Sequence, residues 1–116
     1  MSTARILIVE DEPVVARDTA ECLEGLGYEV LGPVASGEEA IAIAESERPD
    51  GVLMDIRLRG EMDGIEAASH IQSRFGAAVV FLTAFVDRDL LERAREAGVF
   101  GYLTKPYEER ELFATL

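Results

Sequence analysis

A chain of 116 residues with 48% apolar side chains and a mean hydropathy of +0.09 can build one domain with its own core, with no staple of disulfides or structural metal. Its 23 acidic and 11 basic residues give a formal net charge of −12, which repels phosphate backbones and counts against direct nucleic-acid binding by this chain. A single cysteine, Cys22, rules out an internal disulfide, and no apolar run approaches the roughly 18 residues of a membrane span, so the expected setting is cytoplasmic, away from membrane.

Residues 4–9 hold the run Ile6-Leu7-Ile8-Val9, short and apolar enough for a strand buried on both faces, β1, and the run stops at Glu10-Asp11-Glu12. Pro13 suits the first turn of a helix, α1, where its missing N–H costs nothing. Val14, Val15, Thr19, Cys22, Leu23 and Leu26 recur there at helical spacing, and Gly25 and Gly27 close it. Residues 28–34 alternate and then break at Gly32-Pro33, which predicts an edge strand, β2, or a bend. Ser36-Gly37-Glu38-Glu39 is a capping box opening a helix, α2, that Pro49 ends.

Gly51-Val52-Leu53-Met54-Asp55 reads as a third strand, β3, that finishes on a carboxylate. A charged loop leads to Asp63, a helix-start residue, and to α3 over 64–75, with Ile65, Ala68, Ile71 and Phe75 on one face and Gly76 as its end. His70 falls on the polar side of that helix and is expected to be exposed. Residues 77–82 form β4, ending at Thr83. Residues 87–97 form a very polar helix, α4, whose apolar stripe of Leu90, Leu91 and Ala94 is thin, as expected of a mobile element. Residues 99–103 form β5, which stops at Thr104-Lys105-Pro106, and residues 108–116 begin a short fifth helix, α5, of truncated appearance.

The β-α unit repeats five times, which predicts a single α/β domain over 1–116, with no effector domain, built as a doubly wound five-stranded parallel sheet of flavodoxin-like order 2-1-3-4-5. Ligands in such sheets bind outside the carboxyl ends of the strands. Four of the five ends carry polar chemistry: Glu10 and Asp11, Asp55, Thr83, and Lys105. Converging carboxylates repel, and a hard divalent ion such as Mg²⁺ relieves that repulsion. With Lys105 and the Thr83 hydroxyl, the set matches the positioning and charge stabilisation that phosphoryl transfer requires, with Asp55 as the carboxylate nucleophile.

Five pieces in order, Ile6-Leu7-Ile8-Val9-Glu10-Asp11-Glu12, Leu53-Met54-Asp55-Ile56-Arg57, Met62-Asp63-Gly64-Ile65-Glu66-Ala67, Phe81-Leu82-Thr83-Ala84 and Gly101-Tyr102-Leu103-Thr104-Lys105-Pro106, resemble the receiver domains of two-component response regulators over essentially the whole chain. The resemblance implies a phosphorelay switch: Asp55 accepts a phosphoryl group from the phosphohistidine of a sensor histidine kinase or a histidine phosphotransfer protein. It implies Mg²⁺ (or Mn²⁺) held by Glu10, Asp11, Asp55 and the backbone carbonyl of Arg57. Thr83 would turn toward the phosphoryl group, Tyr102 would swing inward behind it, and a cis Lys105-Pro106 bond would aim the ammonium. The surface of α4, β5 and α5 would change with phosphorylation and offer a face on which two copies pair. A receiver assists its own phosphorylation and dephosphorylation without being a turnover enzyme. The loop from Asp55 to Asp63 is one residue longer than usual in the family, with Arg59 where many members carry proline. Arg57 and Phe85 resemble the positions that tune dephosphorylation.

Each group has a plainer reading on its own: Glu10-Asp11 as an acidic helix start, Thr83 as a strand-end hydroxyl, Lys105 as a surface lysine, Tyr102 as a packed aromatic, Cys22 as a small core side chain. Three rival classes compete. A Mg²⁺-dependent aspartate-nucleophile phosphatase would carry Asp-x-Asp after its first strand, where this chain reads Glu-Asp-Glu-Pro. A nucleotide or flavin binder would carry a glycine-rich phosphate loop, and none is found. A phosphate-independent interaction module would not need the intact acidic cluster.

Overall fold

A computed structural model describes residues 4–55, 62–83, 92–93 and 101–104. The elements run β1 (Arg5–Val9), α1 (Pro13–Gly25), β2 (Glu29–Val34), α2 (Gly37–Glu47), β3 (Gly51–Asp55), α3 (Gly64–Phe75), β4 (Ala78–Thr83) and β5 (Gly101–Thr104). The helices expected over 87–97 and 108–116 lie outside the described residues, apart from Glu92 and Arg93. All four strand pairings are parallel, and the five strands lie in the order β2-β1-β3-β4-β5, as the β-α repeats predict. No helix among the described residues is long and apolar enough to cross a membrane.

The strands alternate between two apolar layers, which is why their sequences read as unbroken apolar runs. Leu7 and Val9, Val52 and Met54, and Val79 and Phe81 face one layer with Ala40 and Ala44 of α2 and Ile65, Ala68 and Ile71 of α3. Ile6 and Ile8, Leu53, and Val80 and Leu82 face the other, under Leu23 of α1. Each fully buried Leu, Ile, Val or Phe contributes about 1.5–3 kcal/mol relative to exposure, so these two layers dominate the stability of the sheet.

Local signals set the helix ends. Ser36 Oγ accepts from the Glu39 N–H at 3.2 Å, and the Glu39 carboxylate returns to the Ser36 hydroxyl at 3.3 Å, so the capping box closes side chain to side chain. Asp63 caps α3, its Oδ1 accepting from the Glu66 N–H at 2.9 Å, and Gly76 stops it in the left-handed region at φ 70°. β2 is the edge strand that Gly32-Pro33 predicts, with a register irregularity opposite Leu7 to Val9. Gly32 has φ 84°, and a Cβ there would stand 3.0 Å from the Ile8 carbonyl oxygen, so only glycine lets β2 follow β1.

Two expectations change. Val14, assigned to the apolar face of α1, is 72% exposed; the buried positions are Ala16, Thr19 and Leu23, so the face turns on a small alanine and a threonine. His70, expected exposed, is half-buried.

Candidate functional site

The order β2-β1-β3 means that successive connections leave β1 toward opposite edges of the sheet, and the crevice at such a switch point opens between the carboxyl ends of β1 and β3. In the register of these strands Val9 lies opposite Met54, so the next residues along, Glu10 and Asp55, emerge side by side. Asp11 follows in the turn before α1. Each of the three offers a carboxylate oxygen, and these oxygens lie within 4.8 Å of one another.

Burial sharpens the electrostatics. Glu10 is 4% exposed and Asp55 9%, so water screens their charges less than it would on an open surface. Glu10 is held at both ends: its N–H donates to the Val34 carbonyl at 2.9 Å, and its Oε1 accepts from the Glu12 N–H at 3.2 Å. The acidic helix-start reading of Glu10-Asp11 does not describe this geometry. The N-cap of α1 is Glu12, which makes no side-chain capping bond, and Pro13 opens the helix, while Glu10 and Asp11 gather with Asp55. Three hard carboxylate oxygens, with neither thiolate nor imidazole among them, suit a hard divalent cation that completes its shell with water.

The remaining expected groups are placed to different extents. Asp55 pairs with Leu82 on β4, so Thr83 stands one step beyond on the neighbouring strand, opposite Thr104 of β5, and Tyr102 lies opposite Phe81. Lys105 and Pro106, which follow Thr104, lie outside the described residues, as do Arg57, Arg59 and Phe85. Among the described residues the cis peptide bond is Gly32-Pro33. Two contacts have no sequence pattern that announces them. One is the Val34 carbonyl that fixes Glu10, and it follows only from the pairing of β1 with β2. The other is the ion pair of Arg93 Nη2 with Asp63 Oδ2 at 3.0 Å, which ties a residue beyond β4 to the cap of α3.

A doubly wound parallel sheet with clustered carboxylates at its switch point defines a class of acidic-site α/β domains. Comparison with known proteins narrows it. Residues 6–116 match the family model described as the response regulator receiver domain. The transcriptional regulatory protein PdtaR of Mycobacterium tuberculosis is 46% identical over 112 residues, covering 97% of this chain and 54% of that protein. Among solved structures, the signal receiver domain of a modulated diguanylate cyclase from Desulfovibrio desulfuricans G20 is 38% identical, with a TM-score of 0.93 and coverage of 98% of this chain and 90% of that one. The receiver domain of the sensor histidine kinase PA1611 from Pseudomonas aeruginosa PAO1, which has a magnesium ion coordinated in its active-site cleft, is 36% identical, with a TM-score of 0.86 and coverage of 97% and 93%. This chain belongs to the response regulator receiver domains of two-component systems. Such receivers partner with histidine kinases. The chain spans about half the length of the curated relatives it matches.

Proposed function

We propose that this receiver is a phosphoacceptor switch in which Asp55 takes a phosphoryl group from the phosphohistidine of a sensor histidine kinase or histidine phosphotransfer protein. The observation that carries this reading is the convergence of Glu10, Asp11 and Asp55 at the switch point of the sheet. In the reaction a carboxylate oxygen of Asp55 forms a bond to phosphorus while the phosphorus–nitrogen bond to the donor imidazole breaks, and the electron pair of that bond returns to the ring. Glu10, Asp11, Asp55 and the Arg57 carbonyl would hold Mg²⁺ or Mn²⁺, which when bound neutralises the carboxylates and draws charge from the phosphoryl oxygens. Lys105 supplies a fixed positive charge and Thr83 a hydroxyl donor, each to a phosphoryl oxygen.

Phosphorylation adds close to two negative charges and three strong acceptors at the end of β3. Thr83 would turn to that group and Tyr102 would swing inward behind it, and the surface of α4, β5 and α5 would re-bias toward a paired or partner-bound arrangement. Cys22 as a lone cysteine fits a reducing cytoplasmic setting. Curated relatives are named as transcriptional regulators, so DNA contact by a longer protein carrying this receiver belongs to the proposal, made outside these acidic 116 residues.

The test is intact mass after incubation with acetyl phosphate, with and without Mg²⁺, on the chain and on Asp55→Ala. The expected result is a Mg²⁺-dependent gain of about 80 Da, one phosphoryl group, absent in the variant. Donor consumed catalytically without an adduct would favour the phosphatase class, and neither adduct nor turnover would favour a phosphate-independent module.

A further inference from the structure

Asp63 divides its carboxylate between two parts of the molecule. Oδ1 accepts from the Glu66 N–H at 2.9 Å and caps α3, while Oδ2 takes Arg93 Nη2 at 3.0 Å. The α3 side of this junction is fixed. Ile65, Ala67, Ala68 and Ile71 are buried in the apolar layer shared with α2. Just before the cap, the Met62 N–H donates to Glu38 Oε1 of α2 at 3.3 Å. Gly37 of α2 comes so near that a Cβ there would stand 3.0 Å from the Ala67 Cβ. The Arg93 side differs in kind. Glu92 and Arg93 are helical and exposed, and they fall within residues 87–97, where the apolar stripe of Leu90, Leu91 and Ala94 is thin. A stretch with little apolar anchorage depends in greater proportion on its polar contacts.

We propose that the Arg93–Asp63 ion pair is a tether that weights the switch against its phosphorylated arrangement, with Arg93 and Asp63 acting as positioning residues far from the reacting atoms. The tether rests on the phosphoacceptor reading of Asp55. It spans the boundary between α3, which belongs to the core, and the surface of α4, β5 and α5, which responds to the phosphoryl group. In the arrangement that holds the pair, Asp55 presents its own carboxylate oxygen beside Glu10 and Asp11. A contact across such a boundary stabilises the arrangement in which it forms, and movement of the Arg93 stretch against α3 has to break it. The two bonds of Asp63 differ in this respect. The cap is local to α3 and survives the movement, whereas the ion pair joins positions 30 residues apart and does not. The Arg93 and Asp63 side chains are 47% and 34% exposed, so water screens part of the attraction. The pair then changes the balance of the two arrangements about twofold, which tunes the switch without locking it.

The test is the affinity of the chain for beryllium fluoride, a tetrahedral stand-in for the phosphoryl group, by calorimetric titration in saturating MgCl₂. Affinity for a ligand of one arrangement scales with the fraction of chains already in it. Arg93→Gln should tighten binding about twofold. Asp63→Asn, whose amide oxygen still caps α3, should tighten it by the same factor, and the double variant should go no further than either alone. Arg93→Lys keeps the charge and should bind as the parent does. Direct charge attraction predicts a different pattern, because losing a cation weakens the binding of an anionic complex and losing an anion strengthens it. Opposite signs for the two single variants, additive effects, a Lys variant that behaves like Gln, or no change in any of them would overturn the tether and leave the phosphoacceptor reading standing, since the parent would still bind. No Mg²⁺-dependent binding by the parent, with Asp55→Ala indistinguishable from it, would overturn both.

Discussion

Asp55→Asn removes one of the three carboxylate charges gathered at the ends of β1 and β3 while nearly preserving the shape of the side chain. Two carboxylate charges 4.8 Å apart repel by about 3.5 kcal/mol at an effective dielectric near 20, and by about 0.9 kcal/mol under full water screening. Asp55 belongs to two such pairs. The pair with buried Glu10 lies toward the upper figure, and the pair with more exposed Asp11 toward the lower. An amide accepts weaker hydrogen bonds than a carboxylate, which offsets part of the relief. The net expectation is a variant more stable by about 2 kcal/mol, or a melting temperature about 8 °C higher for a domain of this size. The assay is thermal unfolding followed by circular dichroism, first in chelator and then across a MgCl₂ titration. The parent chain should gain stability with Mg²⁺ by RT ln(1 + [Mg²⁺]/Kd), about 2.7 kcal/mol at a hundred times Kd, and Asp55→Asn should gain far less. A variant that melts at or below the parent temperature in chelator, with its Mg²⁺ response intact, would refute the electrostatic account.

Three further substitutions probe the frame around the site. A Cβ at Gly37 would lie 3.0 Å from the Ala67 Cβ and 3.3 Å from the Met62 Sδ, so Gly37→Ala should push α2 from α3 and cost about 1–3 kcal/mol, read as a lower urea midpoint. Arg5 donates to the Glu47 carbonyl at 2.6 Å and the Glu47 carboxylate at 2.7 Å beside its contact with Glu29, so Arg5→Ala should cost about 1–2 kcal/mol, and added salt should narrow the gap from the parent. Asp63→Ala loses both the α3 cap and the Arg93 pair and should cost about 1 kcal/mol. Asp63→Asn keeps the cap and should cost less than about 0.5 kcal/mol; the reverse order in chemical denaturation would show that the ion pair matters more than the cap.

The sheet is legible in the sequence wherever strands are buried on both faces. Ile6-Leu7-Ile8-Val9 and Val52-Leu53-Met54 have no polar side to alternate with, and each stops abruptly at acid. The caps at Ser36 and Asp63 are equally plain, because a short polar side chain ahead of an apolar periodic run has few other uses. The face of α1 is harder to read. Its contact with the sheet is made by Ala16 and Thr19 around Leu23, so counting large apolar residues draws in Val14, which points away. In the candidate site, Glu10, Asp11 and Asp55 are found by asking which acids end strands, since strand order then brings β1 and β3 together. The contacts that steady them are not local. The hold of the Val34 carbonyl on Glu10 and the reach of Arg93 to Asp63 span 24 and 30 positions of sequence and appear only when the elements are assembled.

β1 and β3 are the strands on which the acids are mounted, each flanked by strands on both sides and covered by apolar layers above and below. Backbone amides in such positions exchange with solvent last, often only when the whole domain opens. The acids of Glu10, Asp11 and Asp55 are therefore presented at the rim of the slowest-opening part of the molecule. Under the phosphoacceptor reading, ions and a phosphoryl group would be loaded and removed there many times over between two openings of the frame, and hydrogen exchange should find the amides of Leu7, Ile8, Val52 and Leu53 nearly indifferent to what the rim carries.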